Sequence, residues 1–201
     1  VGYGSQIKKE VTGAIQTVNE AELKDLPVSS VAQKLQGRLA GVQINQTTVY
    51  GDYIYAACFG GNGIRKALVS SPNLIDFQNW QTVTLGDFIA IENVETYLYA
   101  VNTNRQIFKI TNDVLNTVFQ YSSIPYNVKN VAGNLVVTTG NNVFIYNSDF
   151  TIISQVTLNS EFNTTYTSAT VYSNFVFIGT TDFGVLKTPL DAPTTFEEIH
   201  P

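Results

Sequence analysis

Short runs of apolar and small residues, each followed by a polar turn, recur along residues 47 to 201. The plainest are Tyr53-Ile54-Tyr55-Ala56-Ala57, Tyr97-Leu98-Tyr99-Ala100-Val101, Asn134-Leu135-Val136-Val137-Thr138 and Asn174-Phe175-Val176-Phe177-Ile178. Taking Ile54, Leu98, Leu135 and Phe175 as equivalent gives spacings of 44, 37 and 40 residues. A second strand follows each, at Gly63-Ile64-Arg65-Lys66, Gln106-Ile107-Phe108-Lys109-Ile110, Asn142-Val143-Phe144-Ile145-Tyr146 and Gly184-Val185-Leu186-Lys187. The intervening turns, Asn62-Gly63, Asn104-Arg105, Asn141-Asn142 and Asp182-Phe183-Gly184, supply residues that tolerate the positive φ of tight hairpins. A third strand closes each copy, at Trp80 to Val83, Val118 to Tyr121, Ile153 to Val156 and Phe196 to Ile199. A fourth opens the later copies, at Phe88 to Ile91, Val128 to Val131 and Ser168 to Val171.

Four short strands per ~40 residues, repeated in tandem, form the pattern of β-propeller blades. A sandwich also spaces its strands every ~8 to 12 residues, but it has no reason to repeat four copies in one internal order. The expected fold is therefore all-β, with tandem four-stranded blades. Four blades lie at the lower end of the usual range of about four to eight. The ring is then either small or incomplete, and an end at His200-Pro201 directly after an outer strand favours an incomplete one.

Residues 1 to 46 follow a different pattern and are assigned as a separate α/β arm, with the propeller segment at 47 to 201. Val11 to Val18 alternates as a strand does, and Asn19 is placed to cap a short turn over Glu20 to Lys24. Beyond Pro27, Val31, Leu35 and Leu39 recur on one helical face after a Ser30 cap, and Val42-Gln43-Ile44 returns to strand. Charge divides the chain at the same place. The arm has five basic and four acidic residues, leaving six basic and twelve acidic residues for the remainder.

The net charge of −5 offers no field to gather a polyanion, so nucleic acid is not an expected partner. No apolar run approaches the ~18 residues of a membrane-spanning helix. One Cys and one His exclude an internal disulfide, a Cys/His zinc cage and a Cys-His catalytic pair. The chain lacks Met and begins at Val1, as a processed, trimmed or fragmentary product would.

No constellation of catalytic residues emerges, and the expectation is a protein that is not an enzyme, with no cofactor and no metal. His200 lies beside the chain end without an acid-nucleophile pattern. Glu197 and Glu198 are adjacent on a strand and point to opposite faces, unlike the facing carboxylates of a glycosidase. Gly60-Gly61-Asn62-Gly63 lacks the Lys-Ser/Thr of a phosphate loop, and a hairpin explains it better. Asp149, Asp182 and Asp191 lack the alternating acids of a calcium loop. Cys58 follows an alternating apolar strand, where a thiol behaves as a small hydrophobe. Tyr50, Tyr53, Tyr55, Trp80, Tyr97, Tyr99 and Tyr121 could stack on sugar rings or on a partner, though aromatics at strand positions mostly pack between sheets. Blade strands are committed to packing, so recognition is expected in the connections, above all in the insertion from Ala67 to Asn79. Ser70, Ser71, Asn73, Asp76 and Asn79 are its candidate binding residues.

Two stretches resemble known families. VGYGSQIKKEVTGAI, LKDLPVSSV and LQGRLAGVQI, in order within residues 1 to 44, resemble the plug-domain start of SusC/RagA-type TonB-dependent outer-membrane receptors of Bacteroidetes. The glycine-rich plug core and transmembrane barrel of that family do not follow. The NGI and GVLK turns, the NWQTV strand and the ending FEEIHP resemble the N-terminal propeller of PorZ-like type IX secretion surface proteins. That second resemblance implies an exported, non-catalytic protein at the outer membrane or cell surface. It also implies a role in attaching exported proteins, with outer-membrane or surface proteins and lipopolysaccharide or another glycan as partners. The first implies the alternative, a fragment of a TonB-dependent receptor for glycan or peptide uptake.

Overall fold

The computed structural model describes residues 42 to 199. The strand, turn and helix expected before Gly41, and His200, lie outside the described residues. Sixteen strands are formed: β1 (Gln43–Tyr50), β2 (Tyr53–Phe59), β3 (Gly63–Leu68), β4 (Gln81–Thr84), β5 (Phe88–Val94), β6 (Tyr97–Asn102), β7 (Gln106–Thr111), β8 (Val114–Gln120), β9 (Pro125–Val131), β10 (Asn134–Thr139), β11 (Asn142–Tyr146), β12 (Ile152–Thr157), β13 (Tyr166–Tyr172), β14 (Phe175–Thr180), β15 (Val185–Pro189) and β16 (Glu197–Ile199). Among the described residues they make four antiparallel sheets of four strands, each a meander of consecutive strands, and no closed barrel. The sheets are blades 1 to 4 of a propeller-like fold.

The opening strand of each blade packs on the opening strand of the next, β1 on β5, β5 on β9 and β9 on β13. These strands pair on one side only, so their other edge leaves backbone groups that need partners. Amide side chains supply them. Asn45 Nδ2 donates to Phe88 O at 2.7 Å, Asn93 Nδ2 to Val49 O at 3.1 Å and Asn130 Nδ2 to Asn93 O at 2.9 Å. Gln46 Nε2 donates both to Glu92 Oε2 at 2.7 Å and to Val128 O at 3.3 Å, linking the first three blades. The abundance of Asn and Gln thus has a structural use.

Apolar residues fill the space between blades. Tyr55, Ala57 and Ile64 of blade 1 meet Phe88, Ile91, Leu98 and Ala100 of blade 2. Tyr99, Val101 and Ile107 of blade 2 meet Val128, Leu135 and Val137 of blade 3, and Val136, Val143 and Ile145 of blade 3 meet Tyr166, Ala169, Val176 and Ile178 of blade 4. The remaining cluster covers the other face of blade 1, where Ile44, Ile54, Ala56 and Cys58 pack with Leu74 and Trp80.

Two details differ from the sequence pattern. β1 crosses the division drawn at residue 46, so the first blade contains the opening strand that the repeat had lacked. Its polar residues and a register break between Ile44 and Gln46 interrupt the alternation that would have revealed it. In the fourth copy the equivalence is displaced by one residue. The hairpin pairs are Tyr50 with Tyr53, Val94 with Tyr97, Val131 with Asn134 and Tyr172 with Phe175. Val176, not Phe175, is therefore the counterpart of Ile54, Leu98 and Leu135. Asn174 belongs to the turn, with φ of 65° beside Ser173 at 48°. A one-residue displacement exchanges the two faces of a strand.

Candidate functional site

The Gly60 to Gly63 segment forms the β2–β3 hairpin. A Cβ on Gly63, whose φ is +70°, would lie 1.9 Å from Thr84 O, so this position requires glycine for close approach as well as conformation. The insertion after β3 is also built for packing. Trp80 Nε1 donates to Leu74 O at 2.9 Å, and both side chains are buried against blade 1. Its polar groups bond locally: Asn73 Oδ1 accepts from Ile75 N, Asn73 O accepts from Asn79 Nδ2, and Asp76 Oδ1 accepts from Gln78 N to cap the single 3-10 turn Phe77–Asn79. Ser70, Asp76 and Asn79 are exposed, while Ser71 and Asn73 are half-buried. The five candidate residues therefore lie on one covering loop.

A more enclosed site lies between blades 1 and 2. A cleft of about 430 Å³ is lined by Tyr50, Tyr55, Lys66, Thr96, Tyr97, Thr111, Asn112 and Asp113, with Leu98 and Ile110 beneath. Three strand ends build it. The β1–β2 hairpin contributes Tyr50, whose Oη donates to Thr96 O at 2.8 Å. Asn112 and Asp113 form the β7–β8 turn with φ of 50° and 64°, which carries the Asp113 carboxylate over blade 1. There Asp113 Oδ2 pairs with Lys66 Nζ at 2.5 Å, and Oδ1 accepts from Tyr55 Oη at 3.4 Å. Side-chain exposures of 13% for Lys66 and 38% for Asp113 place the pair at the mouth of the cleft.

Two rings beside the cleft are covered by lysines. Lys66 Nζ lies 4.4 Å from the Tyr53 ring centre, and Lys109 Nζ lies 3.4 Å from that of Tyr97, whose ring packs toward blade 3. Burial, helped by the Asp113 charge, pushes the Tyr55 phenol up to about 12, so it remains a neutral donor at physiological pH. Neutral hydroxyls, the Asn112 amide, buried and half-buried tyrosines and an ion pair satisfied internally suit an uncharged polar ligand. Saccharides and peptide backbone have that chemistry.

The titratable groups elsewhere fit structural roles. Burial pushes Glu92 up to about 7, against hydrogen bonds from the Asn93 backbone and Gln46 that oppose the shift. A carboxyl so tuned suits acid-base chemistry in general, but Glu92 sits among the amide links of the opening strands. Burial likewise raises the Cys58 thiol to about 11, with the Arg65 charge opposing, so it is a poor nucleophile. On β16, Glu197 and Glu198 pair with Lys187 and Leu186 and lie on opposite faces of the strand. No group of three or more His, Cys, Asp or Glu residues that could hold a metal ion is found among the described residues.

Sequence reasoning named Tyr50, Tyr55 and Tyr97 as possible stacking residues but did not join them to Lys66 and Asp113. Those two residues are 47 positions apart and meet only through blade stacking. A signal was present nonetheless: lysine follows a Tyr-x-Tyr strand in both of the first two copies, at Lys66 and Lys109.

No protein-family model matches the chain. It is 48% identical over 48 residues to the TonB-dependent receptor P26 of Formosa agariphila, and 48% identical over 44 residues to the TonB-dependent receptor P3 of the same organism. These matches cover 24% and 22% of this chain but only 5% and 4% of the receptors. Among solved structures, the AfRom2 CNH domain aligns with a TM-score of 0.59 at 10% identity, over 79% of this chain and 55% of that one. The computationally designed Ika8 protein aligns at 0.57 and 10% identity, over 79% of this chain and 49% of that one. A second designed protein, Ika4, aligns at 0.54 and 8% identity, over 74% of this chain and 92% of that one. At such identities these likenesses concern the fold alone, and the chain is similar to TonB-dependent receptors only over a short segment.

Proposed function

We propose that this chain is a non-catalytic binding module associated with the outer membrane or cell surface. Its ligand would be an uncharged polar surface, a glycan or exposed peptide backbone, held in the cleft between blades 1 and 2. The observation that carries the binding role is the cleft itself, where tyrosine faces and hydroxyls surround a Lys66–Asp113 pair whose charges already satisfy each other. The outer-membrane setting is supported by the short similarity to TonB-dependent receptors. The PorZ-like turns and ending support a role in type IX secretion or in cell-surface attachment of exported proteins. An uncharged sugar stretch of lipopolysaccharide, another glycan or a surface protein is then the natural partner, and turnover is not expected.

The receptor similarity also favours a second reading, a fragment of a SusC/RagA-like TonB-dependent receptor for glycan or peptide uptake. Co-sedimentation with outer-membrane vesicles separates the two. The binding-module reading expects retention that falls in Tyr50→Ala and Asp113→Asn variants that keep their β signal by circular dichroism, and that survives removal of residues 1 to 40. Retention lost with the arm and indifferent to the cleft variants would favour the receptor fragment. Indifference to every one of these changes would remove both readings.

A further inference from the structure

Blades 1 and 2 join their successors through the same arrangement. In blade 1, Tyr53 and Tyr55 lie on β2, and Lys66 of β3 pairs across the ladder with Tyr55 while covering the Tyr53 ring. The third hairpin of blade 2 closes on this group, Asp113 binding both Lys66 and Tyr55. Blade 2 repeats the group as Tyr97, Tyr99 and Lys109, with Lys109 opposite Tyr99 and over Tyr97. There the third hairpin of blade 3 closes on it. Ser148 O accepts from Tyr99 Oη at 2.7 Å, and Phe150 of the same hairpin packs on Tyr99 with ring centres 5.7 Å apart.

Blade 3 has Asn134, Val136 and Ile145 at these positions, and its contact with blade 4 is apolar. Blade 4 restores the group as Phe175, Phe177 and Lys187. Lys187 pairs across the ladder with Phe177 and lies 4.5 Å from the Phe175 ring centre. Among the described residues no hairpin closes over it. Phe177 is only half-buried, where its counterparts Tyr55 and Tyr99 are 6% and 0% exposed. Neither Phe175 nor Phe177 joins any of the four apolar clusters, and Tyr172 beside them is 72% exposed. Lys187 pairs instead with Glu197 of its own sheet at 2.8 Å.

We propose that this face of blade 4 is a docking surface for one further four-stranded blade of the same repeat, continuing the propeller and bringing a hairpin aspartate to Lys187. The repeat itself and charge complementarity favour this occupant: in both filled examples the third hairpin of the next blade closes on the group, and in blade 1 its aspartate pairs with the lysine. A second copy fits less well. The corresponding face of its blade 1 is already covered by Leu74 and Trp80, and two blade 4 faces brought together would oppose lysine to lysine.

The test appends a second copy of residues 85 to 122, which contain the Asp113 hairpin, after Pro201 of the full chain. A Phe177→Trp substitution reports on the face, read against the buried Trp80. The extended chain should shift the added tryptophan emission to the blue and slow amide exchange along β14 at least about tenfold. Changing only the appended hairpin aspartate to Asn should reverse part of both effects. Without the extension the chain should be monomeric by native mass spectrometry, with the reporter exposed. An unshifted reporter, or an appended segment that remains unfolded and protease-sensitive, would overturn the proposal. A dimeric parent chain with the reporter already shielded would also overturn it, and would assign the face to a second copy.

Discussion

Glu92 shows how far burial governs a single residue here. Its carboxyl is raised from 4.5 to about 7 by burial in the native state. Between those values the folded chain holds a proton that the unfolded chain has released, so stability is greatest below about pH 4.5 and falls as pH rises through 7. The shift corresponds to at most about 3 kcal/mol. Glu92→Gln should flatten this dependence and make the protein more stable than the parent at pH 8, as urea midpoints across the pH range would reveal. A fall of equal slope in the variant would refute the assignment. Tyr166 poses a different case, a fully buried phenol whose Oη has no hydrogen-bond partner among the described residues. Tyr166→Phe removes an unsatisfied donor while keeping the ring, so it should be neutral or stabilising by up to about 1 to 3 kcal/mol. A clear loss of stability would mean that the hydroxyl is bonded in solution.

At the scale of elements, the insertion between β3 and β4 divides into a packing part and a solvated part. Leu74→Ala should cost about 2 to 5 kcal/mol and Trp80→Ala about 3 to 5, since each vacates a buried position on blade 1. Asp76→Ala, which removes only the cap of an exposed turn, should cost below about 1 kcal/mol. Equal effects in denaturant unfolding would contradict this division. The sequence revealed most strands because their turns carry Asn and Gly and their alternation is clear. β1 was hidden by its own function, since Asn45 and Gln46 face a neighbouring strand edge and break the hydrophobic period. The displaced register of β14 arose from aligning Asn174 with Asn134, although one asparagine lies in a turn and the other in a strand. The cleft was less legible still. Lys66 and Asp113, or Tyr50 and Thr96, become neighbours only when one blade is laid on another, and no local pattern records that stacking.

Over the described residues as a whole, apolar contacts between blades hold four short sheets in sequence and amide links along the opening strands tie the first three together, leaving the hairpin ends free to form a site. The resulting cleft lies where two blades meet, which ties ligand binding to blade packing. Mutations that loosen the contact between blades 1 and 2 should therefore weaken binding even when they touch no ligand. The cleft is proposed to bind an uncharged surface polymer without transforming it. The most direct measurement is calorimetric titration of the chain with purified outer-membrane polysaccharide, with reducing ends assayed in the same samples. Binding in the cleft gives saturable heat that is lost in Tyr50→Ala, with no release of reducing ends over time. Binding that is indifferent to Tyr50, or a steady appearance of reducing ends with the parent chain, would contradict this.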